Sequence, residues 1–115
     1  MPIDRLASLV LAVSIVTAIL LGAPVPIPDG WDKAAHFVAF SALTLFLWHA
    51  TAGELPLAVV AAVIVLGGLD EWRQASMPGR VSDALDFLAD ACAAGATGLL
   101  LFMQRKTACA ESSPQ

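Results

Sequence analysis

Residues 6–28, LASLVLAVSIVTAILLGAPVPIP, and residues 34–53, AAHFVAFSALTLFLWHATAG, contain no Asp, Glu, Lys or Arg. A helix needs ~20 mostly apolar residues to cross a ~30 Å hydrocarbon core, and both windows meet that length. Shorter uncharged windows follow at 55–69 and 91–104. The 115 residues are 58% hydrophobic and 14% charged, against ~45–50% and ~25% in soluble domains. That leaves too little polar surface to cover a water-soluble core, so lipid is the expected solvent. The expected fold is all-α, an up-down bundle of four transmembrane helices at about 5–22, 33–51, 55–75 and 83–104. They form one domain over 1–104, with a polar tail at 105–115 that is expected to fray.

The connections are short. Pro24, Pro26 and Pro28 stiffen the first, which ends in Asp29-Gly30. Thr51 to Pro56 make a tight second turn, and Pro78-Gly79 suits the central positions of a type II turn. Short links imply antiparallel successive helices. Arg5, the first apolar run and Gly22-Ala23 also suit a secretory signal. However, Asp4 cancels Arg5 and Pro24 follows the cleavage position, so a retained helix is expected. Cys92 and Cys109 suggest neither a disulfide framework nor a zinc site. The net charge of −4 gives no sign of a nucleic-acid partner.

The third and fourth uncharged windows are too short to span unaided. Helix three must extend through Asp70, Glu71 and Gln74, and helix four must begin near Asp86 and carry Asp90 inside. At ~1.5 Å per residue, Asp90 then lies ~21 Å along the axis from Gln104, below the interface. Helix two opens with Asp32, Lys33 and His36, with Asp32 and His36 on one face. Asp83, Asp86 and Asp90 share a face that continues through Ala94 and Gly98, small residues that let helix backbones approach closely in lipid. That stripe is expected to face the bundle interior. Seven acids (29, 32, 70, 71, 83, 86, 90) meet three bases (Lys33, Arg73, Arg80) on this side, so pairing alone leaves acids to be hydrated, protonated or bound to a cation.

DKAAHFVAF at 32–40, DEWRQASMPGR at 70–80 and DALDFLAD at 83–90 together resemble VanZ-like membrane proteins. The shared pattern is D-K-x-x-H-F, then D-E-x-x-Q-x-x-x-P-G-R, then Asp six residues after the Arg and Asn or Asp four later. Here it falls on Asp32, Lys33, His36, Phe37, Asp70, Glu71, Gln74, Pro78, Gly79, Arg80, Asp86 and Asp90, within about 30–100. Ala93 stands where the family often has Gly. The resemblance implies a small multi-pass protein of the bacterial inner membrane. It carries a link to teicoplanin resistance in the family's name and brings no established reaction with it.

The binding or motif residues expected are Asp32, Lys33, His36, Asp70, Glu71, Gln74, Arg80, Asp86 and Asp90. Three readings stay open. The site engages an anionic or peptide-bearing envelope component through Arg80 and Lys33. Alternatively, the chain is an intramembrane hydrolase or transferase with His36 or Glu71 as the base. In the third, helix four contacts a partner membrane protein. A hard cation such as Mg²⁺ or Mn²⁺ on Asp70, Glu71, Asp86, Asp90 and His36 is set against a purely salt-bridged cluster. His49, Trp31, Trp48 and Trp72 read as interfacial residues near helix ends. The bases divide equally between the two sides. Cytoplasmic termini are expected because Lys33, Arg73 and Arg80 sit among carboxylates.

Overall fold

A computed structural model describes residues 2–21, 31–76 and 84–112, apart from the side chains of Asp32, Ala110 and Ser112. The described residues form four helices and no strand: α1 (Ile3–Leu21), α2 (Asp32–Ala50), α3 (Pro56–Ala75) and α4 (Ala84–Ser112). The all-helical expectation holds. The Pro-rich link, the Pro78-Gly79 turn, Arg80 and Asp83 lie outside the described residues. The helix of α4 continues past residue 104 to Ser112, where a frayed tail was expected. At ~1.5 Å per residue its 29 residues make it the longest of the four helices.

Residues that start and stop α2 and α3 explain the tight second turn. The α2 helix ends at Ala50, and Pro56 sits in the first turn of α3, where its missing N–H costs nothing. Between them the backbone reverses through Ala52 and Gly53, both at positive φ (55° and 69°). Gly53 is required there twice over, because a Cβ would also sit 2.9 Å from the Trp48 indole nitrogen. Trp48 is accordingly buried against the turn, not placed as an interfacial anchor, whereas Trp31 and Trp72 are exposed.

Helix directions alternate along the chain. Arg5 of α1 bonds the Ala50 carbonyl at the end of α2, and Arg73 near the end of α3 reaches Ile19 near the end of α1. The packing order around the bundle is nevertheless α1, α2, α4, α3. The most extensive contact joins α2 to α4, which run parallel, and no α1–α4 contact is made among the described residues. Ala12, Phe40, Leu43, Val63, Ala93 and Ala94 form the buried centre. Three of the six are alanines, so backbones approach closely.

The outside is apolar. Val10, Val13, Val38, Val65, Leu88, Leu99 and Leu100 are exposed, while Asp70, Gln74, Asp86 and Asp90 are buried. Ser14 and Thr17 on exposed α1 turn their hydroxyls back to the carbonyls four residues earlier, which satisfies them without water. By length and composition α1 and α4 are long and apolar enough to cross a membrane. The α2 and α3 helices, of 19 and 20 residues, carry the charged and His residues described next.

At Gly98 a Cβ would lie 2.5 Å from Val60 Cγ2. Gly98→Ala is therefore expected to destabilise the α3–α4 contact by about 1–3 kcal/mol through overpacking. Reversible unfolding in mixed micelles should show the loss, with much of it recovered in Gly98→Ala/Val60→Ala.

Candidate functional site

The first turns of α2 and α4 and the last turns of α3 meet at one end of the bundle. On α2, Lys33 and His36 are three residues apart and share a face. On α4, Asp86 and Asp90 are four apart and face the same seam. Lys33 Nζ lies 3.6 Å from Asp86 Oδ1, and His36 Nδ1 lies 3.0 Å from Asp90 Oδ1. With Asp90 ionised, the carboxylate only accepts, so Nδ1 carries the proton in that bond and Nε2 is left for other partners. The His36 ring stacks on Phe40 one turn along, with centroids 6.2 Å apart and planes within 3°.

From α3, Asp70 is held by two neighbours on its own helix. Arg73 Nη2 donates to Oδ1 at 3.2 Å and Gln74 Nε2 donates to Oδ2 at 3.0 Å. Arg73 also donates to the Ile19 carbonyl at 2.8 Å, which ties α1 to the site. Gly67, one turn before Asp70, faces Asp90 so closely that a Cβ would stand 3.0 Å from its Cβ and 3.2 Å from Oδ2. The absent side chain is what lets the acid sit between α3 and α2.

Seven groups are thus brought together: Lys33, His36, Asp70, Arg73, Gln74, Asp86 and Asp90. The expected inward face of α4 is met, with Asp86, Asp90, Ala94 and Gly98 all buried. The three buried acids, Asp70, Asp86 and Asp90, are each joined to one basic group. Among the described residues, the buried acids therefore carry none of the excess counted over the whole side. Glu71 is half-buried, one position round the helix from Asp70. The side chain of Asp32 and all of Arg80 and Asp83 lie outside the described residues. Three contributors were not among the expected site residues: Arg73, Phe40 and Gly67. The i,i+4 spacing of His36 and Phe40 was a readable signal; the role of Gly67 depends on which helix it faces.

Exposure divides the groups. Asp90 and Asp86 side chains are 1% and 10% exposed, His36 is 20% and Lys33 is 43% exposed. The carboxylates form the floor, and the basic groups lie nearer the surface. Asp86 Oδ1 accepts no hydrogen bond and is held only at the 3.6 Å ionic distance. Among the described residues no three His, Cys, Asp or Glu side chains converge as a metal-binding set. At the opposite end Arg5 donates to the Ala50 carbonyl, Arg105 to the Gly53 carbonyl, and His49 meets Asp4 at 3.3 Å. No protein-family model, no curated protein and no solved structure matches the chain.

The exposures rank the two cross-helix pairs. Double-mutant cycles should give His36–Asp90 a coupling of about 1.5–3 kcal/mol, as for a hydrogen bond to a charged group. Lys33–Asp86 should couple by less than about 1 kcal/mol, because Lys33 is partly solvated. Unfolding free energies of the alanine variants, singly and paired, decide the order.

Proposed function

We propose that the chain is a multi-pass integral membrane protein of the bacterial inner membrane in which all four helices cross the bilayer. In this reading the cluster of Lys33, His36, Asp70, Asp86 and Asp90 is a binding site on its outward side. The observation that carries the reading is the inverted distribution of side chains, with buried Asp70, Gln74, Asp86 and Asp90 inside a surface of Leu and Val. Water does not favour that arrangement, and lipid does. The α2 and α3 helices are ~28–30 Å long at ~1.5 Å per residue, enough for a hydrocarbon core. Ionisable groups kept at such depth mark function by default.

The resemblance to VanZ-like proteins adds the substrate class. The site engages an anionic or peptide-bearing component of the cell envelope, with Lys33 and Arg80 as cationic contacts, and links the chain to the glycopeptide response. The termini face the cytoplasm: the bases are equal in number on the two sides, and those of the other side, Lys33, Arg73 and Arg80, lie among carboxylates in the sequence. One observation favours a second reading as an intramembrane hydrolase or transferase acting on a lipid-linked substrate. Asp90 grips His36 through Nδ1, the arrangement that fixes an imidazole as a general base.

Lys33→Ala and Arg80→Ala are each expected to lower the teicoplanin tolerance conferred by the gene. If both leave tolerance and cell-wall precursor levels at wild-type values, the binding reading is defeated. Lipid-product analysis of His36→Ala cells tests the enzyme reading, which an unchanged product pattern removes. For orientation, a variant with Cys92→Ala keeps Cys109 as its single thiol. Membrane-impermeant maleimide should label it only after the cells are permeabilised.

A further inference from the structure

Among the described residues, the buried charges balance only when a proton is present. Asp70 is matched by Arg73 and Asp86 by Lys33, and Arg and Lys side chains are cationic at neutral pH. Asp90 is matched by His36, and an imidazole is charged only when it holds an extra proton. One proton therefore decides whether the pair is neutral. It is present whether written as imidazolium with carboxylate or as neutral ring with carboxylic acid. Without it, a carboxylate with 1% exposure keeps the Nδ1–H hydrogen bond but carries a charge that the neutral ring does not balance.

The surroundings offer no other compensation among the described residues. From α2 the site receives Lys33, already at Asp86; from α3, Asp70, Arg73 and half-buried Glu71; from α4, Asp86. At this end α1 contributes the Ile19 carbonyl. Gly67 presses on Asp90 from behind, so the carboxylate has little room to withdraw from the ring. We propose that His36 and Asp90 form a binding site for a single proton, and that its occupancy sets how firmly α2 holds the first turns of α4. While the proton is held, the pair is a neutral hydrogen-bonded clamp. When it leaves, the uncompensated charge draws water into the seam and the turns around Asp86 and Asp90 loosen. The inference rests on the reading of α2 and α4 as membrane spans, where lipid keeps water from the seam.

The test uses the full chain in lipid nanodiscs with His49→Asn, which leaves His36 as the one histidine. Ring ¹⁵N resonances are followed over a pH series. Hydrogen exchange of amides 84–94, corrected for its intrinsic pH dependence, is measured in parallel. The expected result is a single His36 titration and a rise of at least tenfold in exchange through the same pH range, confined to that segment. Asp90→Asn, nearly isosteric, should abolish the pH dependence of exchange. Gly67→Ala displaces Asp90 without altering either titrating group, and it should shift both midpoints together. Exchange that ignores the His36 titration, that rises uniformly over all helices, or that separates from it in Gly67→Ala overturns the proposal. Membrane insertion is scored separately by extraction. A protein that stays in solution without detergent defeats the span reading, while the same titration still decides the proton site.

Discussion

Asp90 has 1% of its side chain exposed, and a carboxylate cannot remain at such a position without a partner. Much of the architecture follows from supplying one. The partner is His36, and its neighbour Lys33 takes Asp86. The order of those two contacts fixes a direction. Ascending residues on α2 meet ascending residues on α4, so the helices must run parallel; an antiparallel pair would match Lys33 with Asp90. The spacings also fit, since three residues on one helix and four on the other rise about 4.5 and 6 Å. Parallel helices cannot be joined by a short turn, so α3 is the intervening antiparallel element, and Gly67 is the place where it makes room for Asp90.

The same economy fixes α1, which contributes no charged group to the cluster among the described residues. The last carbonyls of a helix have no partner within it. Arg73 uses one of these, at Ile19, while also holding Asp70. At the other end Arg5 takes the Ala50 carbonyl at the close of α2, and Arg105 takes Gly53 in the following turn. Cations at helix C-terminal ends gain from the backbone dipole as well as from the hydrogen bond. Arginines therefore tie α1 to α3 at one end and to α2 at the other.

Four helices, the approximate limits of the first three, the start of the fourth and the inward face of Asp86 and Asp90 were legible because they depend on local spacing and length; the continuation of α4 to Ser112 was not. The parallel α2–α4 seam was not, because helix order around a bundle depends on which faces fit. Here that is set by alanines and glycines with little pattern of their own. Trp48 illustrates the limit. Its position near a helix end suited an interface, yet the positive-φ turn at Ala52-Gly53 folds back over it and buries it. Arg73 reads from the sequence as one of several bases near acids. Its reach to α1 becomes visible only when the ends of α1 and α3 are seen to lie side by side.

The layering of the site bears on what it recognises. Its buried acids Asp70, Asp86 and Asp90 are committed to partners, and in each pair the base, Arg73, Lys33 or His36, is the more exposed member. An approaching ligand meets the cationic layer first. An anionic group can add to Lys33 without exposing a buried carboxylate. A cationic ligand would have to displace a base from Asp86 or Asp90 and leave it uncompensated. On the proposed reading this asymmetry favours anionic partners even though acids dominate the sequence on that side. It also makes the His36 proton part of recognition: an anion bound near the ring stabilises the protonated pair, and the protonated pair strengthens the anion site. Linkage requires the two effects to be equal, so ligand and proton would act on the same seam between α2 and α4.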